Sequence, residues 1–239
     1  MRTALYFTPR RDHPLLHAAV DWLGRDAYGE RVPSGPDLDG SGPDTLTTED
    51  WAKVTAAPRR YGFHATVKAP FRLARGKSVA ELDAALSAYC LETAPVILPG
   101  LRLSRLGSFF ALVPSEPSAH LQAFAGEAVR AFEPFRAELS DAEIARREKA
   151  SLTQTQRKNI RDWGYPYVFD DFRFHMTLTG PVPEADQPRV EAALRTHFHA
   201  FLGEEGTSAP FAVDTLALFV EPEDGADFTI FSAHDLRCP

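Results

Sequence analysis

Two cysteines in 239 residues, Cys90 and Cys238, are too few and too far apart for a disulfide framework or a paired-cysteine metal site. They are expected to be reduced and structural, as thiols of a cytoplasmic protein are. No apolar run approaches the roughly 18 residues needed to span a membrane. The N-terminal MRTALYFTPRRD has neither the apolar length nor the small-residue cleavage site of a secretion signal. The expected location is therefore cytoplasmic, with no membrane partner. Basic charge is also scarce, because 26 Lys and Arg against 33 Asp and Glu leave a formal net charge of -7. Coating a long nucleic acid requires clustered cations, so no long nucleic acid is expected as a partner, while a small anionic ligand in a local basic pocket stays open. Apolar residues are not scarce. At 44%, beside 25% charged, they suit a globular chain with a substantial core.

The order of elements suggests a duplication. ALYFTP alternates like a strand, HPLLHAAVDWLG has helical spacing, and residues 29 to 47 are rich in turn formers and read as a loop. Then follow a strand, YGFHATVKAP, a helix, VAELDAALSAYC, and two extended stretches around LPGLRLS and SFFALVP. The second half repeats this order with FRFHMTLTGP, QPRVEAALRTHFHAFL, FAVDTLALFV and FTIFSA. Two copies of one strand-helix-hairpin unit predict one domain over residues 1–239, with lobes near 1–115 and 170–239 related by an approximate twofold axis.

Residues 116 to 169, between the copies, read as a helical insertion: SAHLQAFAGEAVRAF, then a charged helix SDAEIARREKASLTQTQRKNIRDWG. Ser140 and Glu143 fit a capping box at the start of the second helix. Its Arg146, Arg147, Lys149, Arg157, Lys158 and Arg161 either meet an anion or form a solvated face; interleaved Glu143, Glu148 and Asp162 favour the solvated face. Tyr165, Pro166 and Tyr167 read as a rigid aromatic turn.

Chemistry concentrates on two strands. Alternate side chains of a strand point to opposite faces, so His64, Thr66 and Lys68 should share one face and Phe63, Ala65 and Val67 the other. The same parity groups His175, Thr177 and Thr179 opposite Phe174, Met176 and Leu178. Bringing the polar faces together would assemble two imidazoles, several hydroxyls and an ammonium, a set suited to a phosphate diester. Histidine can take a proton from an attacking water or give one to a departing alkoxide near neutral pH. Hydroxyls two residues further on can hold the non-bridging oxygens. Arg60 and Arg173 fall on the histidine parity and are further candidates for substrate binding, and Tyr6, Phe110 and Tyr165 are candidate contacts to the leaving group. A lone His-x-Thr is a weak signal, but each copy here follows a Phe and precedes a Pro by six residues, at His64 to Pro70 and His175 to Pro181.

With these motifs the chain resembles the 2H phosphoesterase superfamily. RRYGFHATVKAPF, WGYPYV and FRFHMTLTG resemble, more narrowly, its uncharacterised bacterial branch encoded beside phosphonate-degradation genes. The resemblance implies an α+β, bilobed, duplicated fold in which two antiparallel sheets flank a central cleft with helices outside. It implies a phosphodiesterase acting on a small cyclic phosphate without metal or cofactor, with His64 and His175 as acid and base and Thr66 and Thr177 binding phosphate. A cyclic phosphoribose or a nucleotide 2',3'-cyclic phosphate is the expected substrate class.

Rival readings remain. The other histidines, His13, His17, His120, His197, His199 and His234, form no metal signature, and no serine stands in a Gly-x-Ser-x-Gly context. A phosphometabolite sensor without catalysis, and an enzyme acting on RNA ends, would each use the same motifs.

Overall fold

The computed structural model describes residues 1–38, 45–148, 151–202 and 209–237; Cys238, Lys149 and part of the 29–47 loop lie outside them. The first half contains β1 (Arg2–Phe7), α1 (Pro14–Leu23), α2 (Thr48–Arg59), β2 (Ala65–Phe71), α3 (Val79–Leu91), β3 (Val96–Leu98), β4 (Leu101–Leu106) and β5 (Phe109–Pro114). Three helices follow: α4 (Ala119–Ala131), α5 (Asp141–Arg147) and α6 (Gln154–Trp163). The chain then forms β6 (Met176–Thr177), α7 (Gln187–His197), β7 (Phe211–Val213), β8 (Thr215–Glu221) and β9 (Thr229–Asp235).

The fold is α+β with two antiparallel sheets, one of seven strands in the order β4-β5-β6-β2-β1-β8-β9 and one pairing β3 with β7. The repeat is therefore β2-α3-β3-β4-β5 followed by β6-α7-β7-β8-β9, one short strand richer per copy than the sequence pattern suggests. Each copy lends its hairpin to the other's half of the large sheet. β4-β5 extends from β6, while β8-β9 extends from β1, the neighbour of β2. The halves meet at Ala65 opposite Met176.

One face of the large sheet packs on the helices through the main core, which includes Phe63, Ala65, Val67, Phe174, Met176 and Leu178. These are the residues the alternation assigns to the inward faces. A smaller apolar cluster of Ala4, Tyr6, Ala217, Phe219 and Phe228 also forms. Cys90 is buried, and burial pushes its thiol up to about 12, as suits a structural cysteine.

Three expectations need correction. The charged helix of the insertion is two helices, because Thr153 and Gln156 form a second capping box that starts α6 separately from the Ser140–Glu143 box of α5. The segment before β2 is not extended back to Arg60. Residues 48–59 form α2, Arg60 caps its C-terminus, and the chain turns at Gly62. Lys68 leaves the histidine face. Tyr6 pairs with Thr66 but Leu5 with Lys68, so Val67 is a bulged extra residue that reverses the parity. The Lys68 ammonium is buried on the α4 side, where it donates to the Val129 carbonyl at 3.1 Å and to Glu133 Oε2 at 2.7 Å. Burial lowers its pKa, with Glu133 opposing that shift.

Lys68 is thus expected to support stability rather than substrate binding. Lys68→Met keeps the stem and deletes two charge-assisted hydrogen bonds, at an expected cost of about 1–3 kcal/mol in urea denaturation. No loss of stability would show that these bonds are dispensable.

Candidate active site

β2 and β6 are antiparallel neighbours, and extending the Ala65–Met176 register by one residue sets His64 across from Thr177 and Thr66 across from His175. Each histidine is held in the same way. His64 Nδ1 lies 3.0 Å from the Gly62 carbonyl and His175 Nδ1 lies 2.7 Å from the Arg173 carbonyl, in both cases the residue two before. A carbonyl only accepts, so both Nδ1 atoms carry hydrogen and both Nε2 atoms remain for chemistry. Thr66 Oγ1 lies 3.4 Å from His64 Nε2.

Gly62 makes its carbonyl available by adopting a left-handed φ of 72°. A Cβ there would lie 2.6 Å from Ala27 Cβ, so glycine is required both by conformation and by space. The turn also brings Tyr61 to the cleft wall.

The environments of the histidines differ. Tyr6 stacks on the His64 ring with centroids 3.9 Å apart and planes 23° apart, and Tyr61 and Phe219 flank it at 5.9 and 6.2 Å. Burial pushes the His64 pKa down to about 4, opposed by the Gly62 hydrogen bond and assisted by repulsion from His175. His64 is therefore neutral at neutral pH. Among the described residues His175 has only Phe109 in ring contact, at 6.0 Å.

A cleft of about 390 Å³ is lined by Tyr6, Tyr61, His64, Thr66, Phe109, Tyr165, Thr177 and Thr179, with Ala57 and Pro58 of α2. A neighbouring hollow of about 610 Å³ is lined by His175, Arg173, Asp171, Tyr167 and Gln156, and shares Thr66, Phe109 and Tyr165 with the first. The two hollows adjoin along these shared residues and together form a depression with a motif histidine in each part. The aromatic turn is held against it, since Asn159 Nδ2 donates to the Pro166 carbonyl at 3.1 Å and Gln156 Nε2 to Asp171 Oδ1 at 2.8 Å. Burial pushes the Tyr165 phenol up to about 12, and Tyr6 is raised well above its usual range for the same reason; both stay protonated donors.

Of the residues singled out from sequence, His64, Thr66, His175, Thr177, Tyr6, Tyr165 and Arg173 border this depression. Thr179 lines it too, but is fully buried, and its hydroxyl accepts the Phe110 amide at 2.9 Å in place of a ladder bond. Arg60 points elsewhere, pairing with buried Glu221 and donating to the Ala226 carbonyl at 2.9 Å. Phe110 is buried in the main core, and its neighbour Phe109 faces the cleft instead. Tyr61 and the α2 residues were not foreseen, because the Pro-containing segment TEDWAKVTAAPR shows little helical patterning. Among the described residues no group of three or more His, Cys, Asp or Glu is placed to hold a metal ion.

Fold and site together define a duplicated α+β protein with paired His-x-Thr strands at the centre of its large sheet. The chain belongs to the family described as Protein of unknown function (DUF1045), whose model matches residues 66–229. It is 36% identical over 230 residues to a protein of Janthinobacterium sp. (strain Marseille) named ribose 1,5-bisphosphate phosphokinase PhnN, covering 95% of this chain and 49% of that one. A protein of the same name from Laribacter hongkongensis (strain HLHK9) is 36% identical over 242 residues, covering 96% and 50%. The chain thus spans about half the length of the curated relatives it matches. The family match and the PhnN name agree with the resemblance carried by the motif blocks. Among solved structures, one titled as a phosphoesterase shares 12% identity over 99% of this chain and 98% of that one, with a TM-score of 0.41. E. coli LigT complexed with NADP+ shares 12% over 99% and 97%, with a TM-score of 0.40. Both likenesses are too loose to define this chain's fold or chemistry.

Three outcomes follow from this site. In a proton NMR titration the His64 ring should stay neutral from pH 8 down to below about pH 5; a midpoint near the ordinary value of 6.5 would contradict its enclosure. Because the unfolded chain protonates His64 near 6.5 and the folded one near 4, its contribution to stability is complete above the first value and declines between them. Gly62→Ala should cost roughly 1–3 kcal/mol in thermal or denaturant unfolding, and wild-type stability would show that the turn relaxes.

Proposed function

We propose that this chain is a phosphodiesterase that hydrolyses a small cyclic phosphate, needing no metal, with His64 and His175 as its proton-transfer pair. The observation that carries this reading is the shared setting of the two histidines. Each Nδ1–H is fixed on a backbone carbonyl, each Nε2 is left for chemistry, and each histidine stands one residue before one of two paired central strands.

In this reading the cyclic phosphate lies over Thr66 and Thr177, whose hydroxyls donate to its non-bridging oxygens. His64, held neutral, accepts a proton at Nε2 from water as the water oxygen bonds to phosphorus. The ring P–O bond breaks, and His175, protonated at Nε2, donates to the departing oxygen. The products are a phosphate monoester and a free hydroxyl, and a proton passing from His64 to His175 through solvent restores the pair. Positioning and charge stabilisation supply most of the rate, because the transfer needs no covalent intermediate.

A cyclic phosphoribose is the favoured substrate. Opening a 1,2-cyclic phosphate of ribose 5-phosphate at the 2-oxygen would leave ribose 1,5-bisphosphate, the compound in the names of the relatives. The motif resemblance to a phosphonate-operon branch supports the same context. We assign the kinase activity in those names to the half of the relatives outside this match. Gly76, Lys77 and Ser78 are the nearest approach here to a phosphate-binding loop, but Phe71, a core residue, stands where its first glycine belongs. The Ser78 hydroxyl, moreover, caps α3.

Phosphorus NMR on a panel of cyclic phosphates tests the proposal. Turnover should persist in EDTA, and His64→Ala or His175→Ala should each lower kcat by about 10²–10⁴-fold. A sensor would bind without turnover, and EDTA inhibition reversed by zinc or manganese would favour a metal enzyme. Incubation with ATP and ribose 1,5-bisphosphate should give no phosphoryl transfer.

A further inference from the structure

A second cavity, of about 240 Å³, adjoins the cleft and shares Ala69, Pro70 and Tyr165 with it. Five arginines line it, Arg2, Arg72, Arg136, Arg146 and Arg147, against the carboxylates of Glu143 and Asp224. Three of the arginines are already engaged. Arg2 pairs with Glu221 and reaches Asp224 at 3.5 Å. Arg72 pairs with Glu143 at 2.8 Å. Arg136 pairs with Glu133 at 2.5 Å and donates to the Asp162 carbonyl at 3.0 Å. Among the described residues Arg146 and Arg147 have no ion-pair partner, and Arg147 Nη1 is buried with no hydrogen-bond partner.

Leaving a guanidinium nitrogen dry and unbonded is costly. Burial lowers the Arg147 pKa; Glu143 opposes this, and Arg146, Arg2 and Arg136 add to it. A dianion in the cavity would relieve both the missing hydrogen bond and the crowding of like charge. Planar guanidinium groups suit phosphate in particular, since they can donate in pairs to its oxygens. The charged insertion, read from sequence as a solvated face, is therefore divided. Lys158 and Arg161 pair on its outside with Asp162 and Glu148, while Arg146 and Arg147 line this cavity.

We propose that this arginine-lined cavity binds a second phosphate of the substrate, a phosphate monoester on the molecule whose cyclic phosphate reacts at His64 and His175. The assignment rests on the phosphodiesterase reading of the cleft and narrows it to substrates with two phosphates. A monoester is favoured over the next phosphate of an RNA strand, because the chain's net charge of -7 offers little to hold a longer polyanion.

The test compares adenosine 2',3'-cyclic phosphate with its 5'-phosphorylated form. The 5'-phosphate should raise kcat/KM by about tenfold or more, mainly through KM, as one charged hydrogen-bonded contact does. Arg147→Ala should bring that ratio close to one, and Arg147→Lys should recover part of it. Arg146→Ala, which should lower the ratio as well, serves if Arg147→Ala does not fold. Calorimetric titration with ribose 5-phosphate works without turnover. Wild type should bind it and Arg147→Ala should bind at least about tenfold more weakly. If no cyclic phosphate is turned over, the phosphodiesterase reading fails while this titration still decides the cavity. Equal rates for both nucleotides, binding unaffected by Arg147→Ala, or a preference for a 5'-extended oligonucleotide over the monoester would overturn the proposal.

Discussion

The antiparallel contact between β2 and β6 is the constraint on which the rest of the molecule depends. It joins two copies of one unit at Ala65 and Met176, and it alone makes neighbours of motifs more than a hundred residues apart. Because each copy gives its hairpin to the other half of the sheet, neither histidine strand is bordered only by its own repeat. The contact is short, and groups outside the ladder hold the strand beyond it. Trp22 Nε1 donates to the Leu178 carbonyl at 2.9 Å and the Gly180 amide to the Val54 carbonyl at 2.6 Å. α1 and α2 thereby anchor the exit of the second motif, so the first half of the chain helps to position the catalytic candidate of the second.

From this junction the asymmetry of the site follows. The motifs are near copies, and the backbone carbonyls treat their imidazoles alike. What separates them is the cover. β1 brings Tyr6 onto His64, β8 brings Phe219, and the turn after α2 brings Tyr61. His175 lies beside the insertion, and among the described residues no ring stacks on its imidazole. A symmetric duplication has thus acquired an enclosed neutral histidine and a more open one, which is the distinction an acid-base pair requires. The insertion closes the far side, and Tyr165 belongs to the walls of the cleft, the His175 hollow and the arginine-lined cavity alike.

Much of this was legible in the residues. Paired His-x-Thr motifs on equivalent strands, the apolar faces beneath them, the duplicated order of elements and the Ser140–Glu143 cap are all local patterns, and local patterns survive folding. What was not legible depends on register. A single bulge at Val67 turned Lys68 from the histidine face to Glu133, and period-two reasoning cannot see a bulge. Arg60 was misplaced because Pro58 disguised the end of a helix as the start of a strand. The place of Arg147 in a cavity wall was hidden for a third reason: helical charge spacing shows which residues can pair, but not which cavity a short helix borders.

Whether the enclosed histidine works as a base is the central question, and the pH dependence of kcat/KM for hydrolysis of a cyclic phosphate answers it most directly. The substrate phosphate keeps its single charge across the working range, so the limbs of the profile report the enzyme. The profile is expected to fall on its acid side through about pH 4, where His64 takes up its proton. A profile with no acid limb, or one whose acid limb is unchanged in a variant lacking the Tyr6 ring over His64, would contradict it.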